Sequence, residues 1–444
     1  MPNLYINLRN YKEKIDSISI GSKLLIMWLF TVFFLSVAKF ILHRFGIDDG
    51  MTRQMVLFAI GTVPLIGFFI NIKKLDKRNY KPFFIMLAVI IAAIGITALL
   101  NSDVRPFLVR SGYGLDRVLI PNCALYAFLF FSVVDDPESI LKDLRLFAWV
   151  DFVFLVLVEL RPALIDGYWS SIAPSGEMMK FSYSLSFGYD MLIPVCIFAY
   201  FVVREKKWID FIPGIIGYYF VITQGNRGAF GVSLVFVALM GISSIIDAKS
   251  SKDKINVVIK IVIIYALISV FLLLLVPKLS SLFYSSDGVE QSIRTVEMAK
   301  KGNFTESNGR LDIWALVIDS IKDGGIFGYG FFGDRPTVVK YHYVGFSHNL
   351  FLELIASFGI IGAIISVVVI FEAIRMIFFC KEKKWRELFI ITFICSCQLM
   401  ISMSLWYVWP FWATLAIIYK YSCASNTGII AKINDKKSSR THTI

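Results

Sequence analysis

The feature that most constrains this chain is the recurrence of long apolar runs. KLLIMWLFTVFFLSVAKFIL at 23–42 and IIGAIISVVVIF at 360–371 are typical. A helix that crosses a bilayer needs about 20 mostly apolar residues, because each residue adds 1.5 Å of rise. Stretches of this kind begin near residues 22, 53, 82, 115, 143, 183, 207, 228, 256, 348, 387 and 407, the last two being the shortest. With 57% hydrophobic and 18% charged residues, and 40 Phe among 444, the chain is too apolar for a soluble protein with one ordinary core. The expectation is an all-α polytopic membrane protein of about 12 transmembrane helices. A membrane β-barrel would need alternating segments of about ten residues, whereas these runs are continuous. The first run is too long for a signal core and lacks a small-residue cleavage site, so it reads as a retained first helix.

Charge supplies the orientation. Lys/Arg clusters mark cytoplasmic loops, and the N-terminal arm, KKLDKRNYK at 73–81, REKK at 204–207, DAKSSKDK at 247–254, CKEKKWRE at 380–387 and the KINDKKSSR tail all fall on one side of a twelve-span chain. Both termini are then cytoplasmic. The largest outward loop covers residues 276–347, so residues 1–444 read as a single membrane domain with one large extracytoplasmic loop. The outer side is richer in arginine, including Arg105, Arg110, Arg117, Arg161, Arg227, Arg310 and Arg335. Lysine suffices for topology, but arginine's planar fork grips phosphate or carboxylate through two parallel hydrogen bonds. Headgroup pairing and an anionic substrate both fit any single one of these. The cysteines show no disulfide framework, and Cys395 and Cys397, two apart on a helix, do not make a metal site.

Four stretches carry candidate chemistry. TQGNRGAF at 223–230 places Asn226 and Arg227 at the junction of two spans, between glycines that admit a close ligand; an interfacial anchor is the plainer reading of Arg227. SNGRLDIWALVIDSIKDGGIFGYGFFGDR at 307–335 reads as an amphipathic helix, capped by Ser307 or Asn308, followed by a glycine-rich turn. Arg310 and Trp314 lie four apart on one face, so the ring can orient the guanidinium or can sit at headgroup level. Gly328, Gly330 and Gly333 resemble a phosphate-cradling loop weakly, since no strand precedes them and no P-loop lysine follows.

GFSHNLFLELIASFG at 345–359 sets Ser347, His348, Asn349 and Glu353 at the mouth of an apolar span. A neutral imidazole there can take a proton from a hydroxyl, and Glu353 either orients it or faces another helix. KFSYSLSFGYDML at 180–192 adds Tyr183, Ser184, Ser186, Tyr189 and Asp190, which line a cavity or pack helices through small hydroxyls. In the twelve-span topology Arg227, Arg310 and His348 share one side.

The order of TQGNRGAF, a long outer loop, NGRLDIW, GYGFFG and SHNLFLELIASFGIIG resembles the O-antigen polymerase and O-antigen ligase superfamily of bacterial envelopes, most closely over about residues 223–370. The resemblance implies a GT-C-like helical fold and a metal-independent glycosyltransferase without cofactor. It implies undecaprenyl-pyrophosphate-linked oligosaccharides as donor and acceptor at the outer face of the inner membrane. His348, Arg227 and Arg310 would then be catalytic, the histidine as general base and the arginines on the pyrophosphate. Asn226, Trp314, Asn349, Glu353, Tyr183, Tyr189 and Arg161 would contact substrate. Membrane lipids and a chain-length regulator are the further partners, and nucleic acid is not one.

Polymerase is the preferred reading, on the individuality of the chain outside the shared elements. A ligase moving finished polymer to lipid A-core shares the pattern. A lipid-linked oligosaccharide flippase would also use twelve spans and cationic cavities, but transporters commonly show two similar halves and this chain shows no internal repeat.

Overall fold

The computed structural model describes residues 18–47, 51–110, 114–172, 178–181, 184–270, 309–341 and 345–424. Among them, six helices are long and apolar enough to cross a membrane: Ile20–Leu42, Gln54–Lys74, Lys77–Leu100, Leu185–Glu205, Arg227–Asp247 and Leu350–Phe379. The chain is therefore a helical membrane protein. Helix α1 (Ile20–Arg44) runs beside α2 (Met51–Asn71), and α3 (Lys77–Leu100) starts at Asp76, whose carboxylate accepts the Arg78 N–H at 2.9 Å.

The run beginning near residue 115 is not one long helix. Pro121 and Asn122 interrupt it, leaving a 3-10 turn at Leu115–Arg117 and short buried pieces at Ala124–Tyr126 and Ala127–Ser132. Helix α4 (Pro137–Phe154) is capped by Asp136 and continues through a π-helical turn, Leu155–Leu160, into Arg161–Asp166, where Gly167 ends it at φ 75°. A two-stranded antiparallel hairpin then follows, β1 (Trp169–Ile172) paired with β2 (Met178–Phe181), an element the apolar pattern did not suggest.

Helix α5 (Leu185–Glu205) is the central post. It packs against α4 and α6 (Phe211–Thr223), and 72% of its apolar window is buried, against 17% for the α2 window and 22% for α3. The poorly buried helices carry exposed Phe58, Ile70, Val89 and Leu99, an apolar belt suited to lipid. Beyond α7 (Arg227–Asp247) and α8 (Ser251–Val270), the described part of the large loop holds α9 (Arg310–Asp323) and a four-residue turn, Arg335–Val338; residues 276–308 of that loop lie outside the described residues.

Helix α10 (Leu350–Ile374) is broken inside at Gly359 (φ 56°, ψ −128°) and ends in a π-helical turn. Then come α11 (Lys383–Ser396), a 3-10 turn at Cys397–Met400, an irregular stretch over 401–408, and α12 at 409–424. Aromatic rings lock these last elements to the first: Trp409 stacks on Phe131 at 5.8 Å and meets Trp28 edge-on at 6.2 Å.

Candidate functional site

The glycine-rich segment and the break in α10 explain each other. Tyr329 N–H donates to the Ala356 carbonyl at 2.9 Å and Gly330 N–H to Ser357 at 2.7 Å, while Ile360 N–H donates to Ile326 at 2.9 Å. The loop thus pairs with carbonyls that the broken helix leaves open, as buried backbone groups must be paired. A Cβ at Gly359 would sit 2.0 Å from the Ile326 oxygen, and one at Gly328 would sit 2.7 Å from that of Ala356. The weak likeness to a phosphate cradle gains nothing here: the Tyr329 and Gly330 N–H groups are spent on α10 and the Gly333 N–H on the Gly330 carbonyl. Their effect is to fix the next residues, Asp334 and Arg335, under the start of that helix.

At that start, Asn349 caps α10 by accepting the N–H groups of Phe351 at 3.0 Å and Leu352 at 3.2 Å. His348 is buried and holds a left-handed backbone, φ 53°. Its Nδ1 lies 2.8 Å from the Ser402 carbonyl, and a carbonyl only accepts. Nδ1 therefore carries the proton in the neutral ring, which puts the proton-accepting lone pair on Nε2.

Glu353 does not orient this histidine. Its carboxylate accepts the Ser404 hydroxyl at 2.5 Å and the Leu405 N–H at 3.2 Å, so its effect is on the segment that holds the ring. Arg335, 1% exposed, lies over the Phe332 ring at 3.9 Å and donates from Nη1 to the Tyr407 hydroxyl at 3.1 Å. Burial pushes the Asp334 carboxyl above its ordinary range, against the opposing pull of Arg335 and of the Ser347 N–H.

Of the other sequence candidates, Tyr189 and Trp314 reach the segments around His348. The Tyr189 hydroxyl is 3.4 Å from Ser402 Oγ, and a Cβ on Gly228 would meet it at 2.3 Å, so glycine here lets the start of α7 close onto α5. Arg227 is the first residue of α7 and Arg310 the first of α9; the Arg310 charge acts on the Tyr189 hydroxyl. Asn226 caps α7 through Oδ1, accepting the Ala229 N–H at 2.9 Å, and ties it to α5 through Nδ2, donating to the Leu185 carbonyl at 3.0 Å. Helix α9 starts after Gly309 (φ 77°), with Ser307 and Asn308 outside the described residues. Trp314 donates its indole N–H to the Ser347 carbonyl at 3.1 Å. Arg161 is exposed, at the start of the last helical piece of the α4 extension, and Tyr183 lies outside the described residues.

Sequence reasoning missed Asp334 as a site residue, took Arg335 only as one of several outer arginines, and missed Ser402, Ser404 and Tyr407. The signal for the last three was present: SMS and Pro410 divide two apolar runs, each too short to span a bilayer alone. Among the described residues no three His, Cys, Asp or Glu side chains gather as metal ligands.

No curated protein and no solved structure matches the chain. Residues 212–367 match the family model described as O-antigen ligase, a span that runs from α6 into α10 and includes Arg227, Arg310, Asp334, Arg335 and His348. That match supports a likeness of residues 212–367 to the O-antigen ligase and polymerase superfamily.

Proposed function

We propose that this protein is a polysaccharide repeat-unit polymerase, for O-antigen or capsule. It would transfer glycan from an undecaprenyl-pyrophosphate donor to a lipid-linked repeat-unit acceptor at the outer face of the bacterial inner membrane. The observation that carries the reading is the fixed tautomer of His348: a ring anchored through Nδ1–H on Ser402 offers Nε2 as a base. Arg310 acts on Tyr189, which touches Ser402 in turn, so a cation lies near the same point.

The acceptor hydroxyl oxygen bonds to the anomeric carbon of the donor sugar as the bond from that carbon to the pyrophosphate oxygen breaks. The hydroxyl proton passes to His348 Nε2, and the electron pair leaves with the lipid pyrophosphate. Arg227 and Arg310 hold the pyrophosphate and stabilise the charge that grows on it. Tyr189 meets sugar, with Tyr183 a further candidate from the resemblance, Arg161 meets the anionic lipids on approach, and Asn226, Trp314, Asn349 and Glu353 hold the frame. Both termini are cytoplasmic in this reading, and a chain-length regulator is a candidate partner.

The ligase reading stands second, because the matched family carries that description. The two separate in proteoliposomes containing the purified full chain. A ladder of products from lipid-linked repeat units alone supports polymerase. Transfer that requires added lipid A-core would replace it with ligase, and lipid movement across the bilayer with no new glycosidic bond would move the reading to a flippase.

A further inference from the structure

We propose that Asp334 is a positioning residue that sets the His348 ring through the Ser347 peptide; the inference rests on reading His348 as the base. A left-handed backbone is uncommon outside glycine and persists only where the surroundings enforce it. Among the described residues the non-glycine positions with positive φ are Lys206, Phe332 and His348, so two of the three flank the Asp334–Arg335 pair.

At His348 the enforcement is visible atom by atom. Asp334 Oδ2 accepts the Ser347 N–H at 2.7 Å, Trp314 Nε1–H donates to the Ser347 carbonyl at 3.1 Å, and the Ser347 hydroxyl donates to the Asn349 carbonyl at 3.2 Å. Ser347 is fully buried, so without the carboxylate its N–H would have neither water nor an acceptor. Asp334 is itself 1% exposed, and its backbone carbonyl accepts the Val338 N–H at 3.1 Å. The glycine-rich loop behind it is paired to α10, so the carboxylate stands on rigid backbone.

Asp334 touches no reacting group in this arrangement. Its effect reaches the proton transfer only through the backbone that aims Nδ1–H at Ser402 and Nε2 away from it. Losing the acceptor lets the turn relax toward ordinary φ and swings the ring off Ser402, which slows turnover and leaves substrate binding intact.

The test is a double-mutant cycle on the full chain in proteoliposomes, normalised to folded protein, with Asp334→Ala, Asp334→Asn, His348→Ala and Asp334→Ala/His348→Ala. Asp334→Ala should lower kcat about tenfold or more with KM within about twofold, since misplacing a base by about 1 Å is that costly. Asp334→Asn keeps an acceptor oxygen and should recover to within about threefold of wild type. The double variant should be no slower than His348→Ala alone, because one positioned group cannot be lost twice. Losses that multiply, or an asparagine variant as slow as alanine, would overturn the proposal.

Should Asp334→Ala fail to fold, Trp314→Phe removes the opposite hold on the same peptide and should give a weaker version of the same pattern. A wild-type rate in His348→Ala would sink the base itself, a separate failure. Modification of His348 by diethyl pyrocarbonate, followed on its own peptide by mass spectrometry, reads the ring without turnover. Its rate should change severalfold in Trp314→Phe and Asp334→Ala, and an unchanged rate would contradict the positioning role.

Discussion

The two ends of the helical bundle hold their buried carboxylates differently. At the end formed by the C-termini of α5 and α7 and the N-termini of α3 and α11, cations meet carboxylates directly. Arg204 pairs with Glu387 at 2.7 Å, Arg386 with Asp247, Lys384 with Glu205, and Arg145 grips Asp210 through two bonds of 2.7 and 2.9 Å with the Trp149 indole donating to the same carboxylate. Even a cavity of about 600 Å³ at this end, lined by Lys142, Arg145, Tyr200 and Lys384, has those cations matched to Glu138, Asp210 and Glu205.

At the other end the buried carboxylates of Asp334 and Glu353 accept from Ser347, Ser404 and Leu405, while Arg335 lies over rings, donates to a tyrosine hydroxyl and draws on both carboxylates through space. Breaking a buried ion pair strands a charge, so the first end should answer mutation in stability. The second end should answer in turnover.

The largest expected effect would break that contrast if it failed. Arg227→Lys and Arg310→Lys keep the charge but lose the two-pronged grip, and each should cost about 100-fold in transfer rate with unfolding unchanged. Thermal unfolding in detergent alongside the transfer assay separates the two, and loss of stability without loss of rate would reassign these arginines to the frame. Next, Arg386→Ala removes a guanidinium that holds Ser243, the Cys380 carbonyl and Asp247. About 3 kcal/mol of stability should go, with specific activity of the surviving protein unchanged.

Gly359→Ala would sharpen the comparison, because it strains the α10 break and crowds Ile326. About 2 kcal/mol of destabilisation is expected, together with a lower rate, since the loop that carries Asp334 shifts with it. The smallest effect is at Asn226: alanine there loses the α7 cap, worth about 1 kcal/mol, while Asn226→Ser keeps a capping oxygen and should retain most of it. A rate loss in Asn226→Ser at full stability would instead mean that the amide touches substrate.

The sequence showed the class of fold through the length of its apolar runs, since the bilayer constrains length directly. It did not show the interruption near residue 115, where a run of the right composition holds Pro121 and folds into short buried pieces, nor the hairpin at 169–181. The expectation that Arg227, Arg310 and His348 share one side came from the order of the apolar runs; Arg227 and Arg310 each begin a helix, and His348 precedes the Asn349 cap of another. What holds His348 was not legible, because Ser402 is 54 residues away and acts through its backbone carbonyl, an atom every residue has. The role of the glycine-rich loop was hidden for a similar reason: open N–H groups suit a phosphate and a broken helix equally well, and only the partner decides.

The central claim is that His348 Nε2 takes the acceptor proton. The most direct measurement is single-turnover transfer from a lipid-linked donor in proteoliposomes, comparing wild type with His348→Ala from pH 5 to pH 9. The account predicts that the wild-type rate falls as the pH drops and the imidazole takes a proton from solution. It predicts that His348→Ala is slower by about 100-fold or more and loses that dependence. A variant that transfers glycan at the wild-type rate, or that keeps the same acid limb, would contradict it.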